Sequence, residues 1–216
     1  MRVWNSELST ALLVVASSAA LVFAGCAMIE PKAEKPVPLP IGATWTQAMT
    51  DTGSFGKGST AQSWKAAGDQ DWQGRKVRAF ESQQLTILAD AESTKWVAFL
   101  NKGTPILSWD PPIGWEFPLE VGKTWTSKHR FTIHAAKRTV PLEVKFNVEA
   151  YEEVTVPAGT FNTFRIRSSD NLGNENVTWW SPEIGLFIKR NQTRTAKNQS
   201  GPGTRESQLV SQTISK

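Results

Sequence analysis

The chain has 216 residues, a net charge of +4 and a pI near 9.3. That length supports one domain with a proper core and is tight for two. The positive charge is mild and evenly spread, which argues against nucleic acid as a partner. One cysteine in the whole chain excludes an internal disulfide framework.

The first feature in chain order is an apolar run from Ala11 to Gly25 behind Met1-Arg2. It is shorter than the ~20 residues a helix needs to cross a bilayer core. Its length and small-residue ending predict a secretory signal peptide over residues 1–25. Phe23-Ala24-Gly25-Cys26 resembles the bacterial lipobox, in which cleavage precedes a cysteine that carries diacylglycerol. The resemblance implies lipidation of Cys26 and anchoring to a membrane through two or more acyl chains, each buried methylene contributing ~0.8 kcal/mol. Ala27 stands where the enterobacterial retention signal has aspartate, so the same resemblance implies the outer membrane, facing the periplasm. A lone cysteine in an exported chain suits this role, because a lipidated sulfur is no longer a free thiol.

Residues 26–41 hold the lipidated cysteine and a proline- and charge-rich stretch, read as a semi-rigid tether with roughly 40 Å of reach. From residue 42 to 216 the pattern is period two, predicting a single antiparallel β domain. Val140, Leu142, Val144, Phe146 and Val148 alternate with Pro141, Glu143, Lys145, Asn147 and Glu149, marking a strand with one buried and one wet face. Trp125 to Ile133 alternates likewise and predicts the other arm of a hairpin turning at 135–138. Further strands are expected at 77–81, 85–89, 96–100, 164–168, 177–180, 186–190 and 208–214, with turns at Gln73-Gly74, Pro157-Ala158-Gly159, Asn171-Leu172-Gly173 and Gly201-Pro202-Gly203. The fold class read from this is all-β, a meander forming a curved sheet or half-barrel.

An internal repeat sharpens it. Pro38-Leu39-Pro40-Ile41-Gly42-Ala43-Thr44-Trp45-Thr46 recurs as Pro118-Leu119-Glu120-Val121-Gly122-Lys123-Thr124-Trp125-Thr126. Two related halves, about 42–110 and 118–216, are expected to share one sheet, since separate domains of that size would have thin cores.

Glu153 to Arg165, with Pro157-Ala158-Gly159-Thr160-Phe161, and Trp179 to Lys189, with Ser181-Pro182-Glu183-Ile184-Gly185, join Phe117 to Trp125 in a wider resemblance. Together they resemble uncharacterised bacterial envelope proteins with a curved antiparallel sheet related to periplasmic lipoprotein carriers. The resemblance covers about residues 115–190. It implies fold and compartment and brings no catalytic residues to transfer.

A search for chemistry finds little. His129 and His134 are five apart, so a strand sends them to opposite faces and they cannot share a metal. His129 falls on the apolar face with Trp125 and Phe131, as a packed or cavity-lining residue. No nucleophile elbow is present. The pairs Asp69/Asp71 and Glu152/Glu153 sit in polar, turn-like segments and read as solvated. Gly53-Ser54-Phe55-Gly56-Lys57-Gly58 lacks phosphate-loop spacing and reads as a hairpin loop.

Two binding features remain. Trp109 to Phe117 reads as a rigid aromatic loop, with Trp109 and Trp115 at the rim of a ligand mouth and His129 nearby. Lys189, Arg190, Arg194, Lys197 and Arg205 make the last hairpin basic, a solvated face suited to anionic headgroups or polymer. The sequence thus predicts a non-catalytic, outer-membrane-anchored lipoprotein, needing no cofactor or metal, that binds an apolar ligand or an envelope protein. Ten tryptophans against one tyrosine support the first of two alternatives. One is a carbohydrate- or peptidoglycan-binding module or glycan-active enzyme, for which Trp109, Trp115, Trp179 and Trp180 should line one groove. The other is a structural assembly subunit with an exposed strand edge.

Overall fold

The computed structural model describes Met1 and residues 31–214. The signal segment and Cys26 lie outside the described residues. Fourteen strands are described: β1 (Lys32–Ala33), β2 (Thr44–Gly53), β3 (Gly58–Trp72), β4 (Arg75–Glu81), β5 (Leu85–Asp90), β6 (Trp96–Asn101), β7 (Thr104–Ile113), β8 (Leu119–Glu120), β9 (Thr124–Ile133), β10 (Arg138–Val156), β11 (Gly159–Asp170), β12 (Asn174–Ser181), β13 (Leu186–Arg194) and β14 (Gly203–Gln212). The all-β antiparallel expectation holds. Each expected strand lies on an observed one, although β14 ends at Gln212, two residues before the expected limit. The expected aromatic loop at 109–117 is a strand up to Ile113, because Trp109 and Asp110 pair with Phe131 and Arg130.

The sheet closes completely instead of stopping as a half-barrel. Twelve strands form a ring in the order β10-β11-β12-β13-β14-β2-β3-β4-β5-β6-β7-β9. Its seam is the antiparallel pairing of β14 with β2, from Gly203↔Gly53 to Gln212↔Trp45. Closure satisfies the backbone groups that an open sheet would leave along two edges. The turns that permit it are those of the sequence pattern. Gln73 and Gly74 both have positive φ, of 52° and 77°, as a two-residue hairpin turn of this hand requires.

The long strand β10 fixes which side is inner. Glu143, Lys145 and Glu149 alternate with the buried Val144, Phe146 and Val148. Following the registers round the ring, the inner face takes Trp125, His129 and Phe131 on β9, Trp109 on β7, Phe99 on β6, and Ile166 on β11. It also takes Thr178 on β12, Arg190 on β13, Ser207 on β14 and Met49 on β2. The outer face of β2 carries hydroxyl pairs instead, Thr46–Ser63, Thr50–Ser59 and Thr52–Thr204. A further cluster of Val77, Ala79, Leu88, Ala98 and Leu100 occupies the opposite face of β4–β6 from Phe80, Ile87 and Phe99.

Both copies of the repeat make the same structure. Gly42 and Gly122 each have φ of 88°. Gly42 N–H donates to the Ala66 carbonyl and Ala66 N–H returns to Ala43, while Gly122 and Val148 with Lys123 repeat the exchange. Each turn leads into a strand whose tryptophan stacks on a partner ring, Trp45 on Trp64 and Trp125 on Phe146. The ring accordingly divides into two runs of six strands, β2–β7 and β9–β14, each opening on one copy.

One end of the barrel is sealed by three pieces. The tip of the β10–β11 hairpin reaches β14, where Ala158 N–H donates to the Leu209 carbonyl, and Val156 and Phe161 join the cluster of Leu186, Ile188, Leu209 and Trp45. The 114–120 segment places Trp115, Phe117 and Leu119 against Phe146, Phe164 and Trp180. The proline-rich segment, expected as a tether, packs here from Lys32 onward. It pairs Ala33 with Leu119, passes its Val37 carbonyl over Gly185, and accepts a bond from Arg78 at the Leu39 carbonyl. Burial of Ala33 and Leu39 explains this, since apolar area is worth about 25 cal/mol per Å² when removed from water.

Candidate ligand-binding site

The inner surface changes character along the barrel axis. Near the sealed floor it is dry hydrocarbon: Val148, Phe164, Ile166 and Leu209 are at most 1% exposed. Toward the opposite end, where β9 turns into β10 and β13 into β14, inward-facing Leu107, Trp109, Phe131, Ile133, Arg190, Gln192 and Arg194 are only half-buried. Side chains on the inside of a closed ring keep that exposure only if solvent enters the ring.

One wall of this wet half is aromatic. Trp96, Phe99, Trp109 and Phe131 form a continuous ladder over β6, β7 and β9, with centroid separations of 5.3, 5.0 and 5.5 Å. Edge-to-face and offset contacts of this kind suit the ring quadrupoles. The opposite wall is cationic and polar. On β13, Arg190, Gln192 and Arg194 succeed one another at the two-residue spacing of one strand face. Their register partners are Thr178, Asn176 and Asn174 on β12, and Ser207, Arg205 and Gly203 on β14.

The three arginines are held differently. Arg205 makes two bonds to the Asp51 carboxylate, at 2.7 and 2.6 Å, and holds that carboxyl below its ordinary range despite the opposing effect of burial. Arg194 donates to the Ser54 carbonyl at 2.8 Å and lies 4.0 Å from the centre of the Phe55 ring. Burial, then the charge of Arg205, lowers its pKa. Arg190 has no carboxylate partner among the described residues. It lies 5.4 Å from the Trp96 ring centre, on a strand six places round the ring from its own, so its side chain spans the interior. Its remaining contacts are Asn176 Oδ1 at 3.4 Å and the ring of Phe187 at 6.0 Å. Enclosure by protein pushes its pKa down to about 10, with the charge of Arg205 adding to the effect.

The expected basic face is therefore not a face. Arg190, Arg194 and Arg205 turn inward, and only Lys189 of β13 turns out, lying over the Trp179 ring. The alternation of 190, 192 and 194 in phase with Thr178 was the available sign, but it competes with the more familiar habit of arginine to face water.

The residues singled out from sequence are scattered around this region. Trp109 is in the aromatic ladder. His129 is buried, its Nδ1 2.7 Å from the Pro111 carbonyl and its Nε2 2.8 Å from Ser127 Oγ. A carbonyl only accepts, so Nδ1 carries the proton and Nε2 accepts from the serine in the neutral ring. His129 borders a polar surface depression of about 540 Å³ with Ser127, Lys95 and Glu116. Trp115 borders a neighbouring one of about 380 Å³ with Pro36 and Phe117. Trp109 lines neither depression.

The four tryptophans expected to share a groove do not. Trp115 meets Phe146, Trp180 is buried against Phe117, and Trp179 donates from outside to Glu152. Three of these four carboxylates are engaged structurally, Asp69 with Arg78, Asp71 with the Gly74 amide, and Glu152 with Arg165 and Trp179, while Glu153 is exposed as expected. Among the described residues no group of three His, Cys, Asp or Glu is placed to hold a metal.

No family model and no curated protein matches the sequence. Solved structures do. A protein from Parabacteroides distasonis described as a lipoprotein is 11% identical, covers 82% of this chain and 97% of its own, and has a TM-score of 0.40. For a protein from Bacteroides fragilis, described as exported with a YmcC-like fold, the identity is 15%, the coverage 83% and 99%, and the TM-score 0.45. The chain is likewise similar to the hypothetical lipoprotein YmcC of Escherichia coli, at 11% identity, 78% and 83% coverage and a TM-score of 0.43.

Proposed function

We propose that this chain is an envelope lipoprotein, anchored to the outer membrane through Cys26, whose barrel holds a ligand in its solvent-reached half and performs no chemistry on it. The observation that carries the reading is the division of the inner surface into a dry floor and a wet, aromatic-and-cationic upper half. An interior built only for stability has no use for half-buried tryptophans facing an arginine across the ring. The apolar ligand expected from sequence becomes an amphipathic one, because a purely apolar molecule would strip Arg190 of water and give it nothing in return. Barrel closure removes the sheet edge on which the assembly-subunit reading depended.

Mass spectrometry of the gently extracted full-length protein tests both parts of this reading. Under denaturing conditions the chain should begin at Cys26 with the mass of diacylglycerol and an amide-linked acyl chain added. Under native conditions an additional, non-covalent mass should be retained. A chain still carrying residues 1–25 contradicts the anchor, and a bare native mass in every preparation contradicts the binding role.

A further inference from the structure

Arg190 poses a physical problem that the fold does not solve. A guanidinium has five donors and a permanent charge at neutral pH. Here one donor makes a long bond to the Asn176 amide oxygen at 3.4 Å, the Nε atom is buried without any partner, and the charge faces two aromatic rings and no carboxylate. Nε of Arg190 is the one charged group among the described buried polar atoms that lack a partner. The Asp51 carboxylate, which would be the natural counter-ion on the same wall, is bound at both oxygens by Arg205. A buried donor left without a partner is costly, and such strain persists where a ligand relieves it.

The surroundings say what the ligand is. An oxyanion is required by the guanidinium, whose planar fork matches a carboxylate or phosphate in two parallel bonds. Gln192, half-buried, follows it on the same strand face and Asn176 lies beside it, so the ligand also carries hydroxyls to meet side-chain amides. A hydrocarbon tail would leave those groups dry and unbonded. The facing ladder of Trp96, Phe99, Trp109 and Phe131 offers flat apolar surface, which sugar rings present on their C–H faces.

We propose that Arg190 anchors an anion site inside the barrel, where it binds the carboxylate of an acidic saccharide lying against the Trp96–Phe131 ladder. The proposal rests on the reading of the barrel as a ligand-binding domain. Arg194, two strand repeats along the same face and also without a carboxylate bond of its own, is the second cation the chain would pass.

The test is titration calorimetry on the full-length lipidated protein in detergent, with three probes: a trigalacturonate, a neutral trisaccharide of the same length, and inorganic phosphate. The trigalacturonate should bind and the neutral sugar should not. Arg190→Met should weaken trigalacturonate binding by about 10- to 100-fold, the range for a hydrogen-bonded charge. Thermal unfolding of the same variant should occur at an equal or higher temperature, because an apolar chain replaces a buried Nε that has no partner. Arg190→Lys should fold normally and recover binding only in part, as a point charge lacks the fork. A destabilised Arg190→Met that still binds trigalacturonate normally overturns the proposal by making Arg190 structural. Binding of the neutral sugar with equal affinity, or of phosphate without the saccharide, also overturns it while leaving a binding barrel in place. Failure of all three probes, with a bare native mass, removes both the site and the broader reading.

Discussion

Phe164→Ala should lower stability by about 3–5 kcal/mol, among the largest losses any single substitution in this barrel can produce. Phe164 is 1% exposed and sits where the inner faces of β10, β11 and β12 meet the floor segments. Its ring lies 4.8 Å from that of Tyr151, and it shares a cluster with Leu119, Val148, Ile166 and Trp180. The 114–120 segment that covers it is pinned at both ends, so the surroundings cannot collapse into the space. A loss of this size should lower the melting temperature by roughly 10 °C in a domain of this length. Phe131→Ala is the control, since Phe131 lines the wet half and is half-buried. It should cost about 1–2 kcal/mol, because water fills the vacated space. Urea unfolding of both variants checks the contrast, and equal losses would mean that the two halves of the interior are packed alike.

Gly185→Ala should be nearly as damaging, for a different reason. Gly185 has φ of 69°, and a Cβ there would collide with the Val37 carbonyl oxygen. The positive φ alone costs about 1 kcal/mol for alanine. The contact is with backbone, so it is relieved only if the segment crossing the floor lifts away. That displaces Leu39, which is buried, and breaks the bond from Arg78 to its carbonyl. The expected loss is about 2–4 kcal/mol, together with rapid cleavage of residues 31–41 by a broad-specificity protease while the barrel survives. Resistance of that segment in the variant would show that it is not seated on the floor as described.

Strand identity was legible because these strands have one wet and one dry face. The alternation from Val140 to Val148 is the pleat itself, and Pro157-Ala158-Gly159 and Asn171-Leu172-Gly173 are the turns they seem. The repeat was legible because a positive-φ glycine followed by Thr-Trp solves the same geometric problem twice. Closure was not, because the pairing of β14 with β2 joins residues some 150 positions apart, and no local pattern encodes which strand meets which. The candidate site was hidden for a related reason. Arginine at 190 and 194 reads as surface until a closed ring gives the strand an inside that holds water. Trp96 and Phe99 were recognised only as strand residues. The packing of Leu39 and Ala33 was masked by prolines that favour an extended chain, whether free or docked.

Central to this function is a ligand inside the barrel, lying along the aromatic ladder with its anion at Arg190. The most direct measurement is a titration of the lipidated protein with trigalacturonate, followed by the indole N–H resonances in a nitrogen–proton correlation spectrum. The resonances of Trp96 and Trp109 should shift together and saturably, while those of Trp64 and Trp180 at the floor and Trp179 on the outside stay in place. Shifts confined to Trp115 or Trp179 would put the ligand on the outer surface and contradict the account.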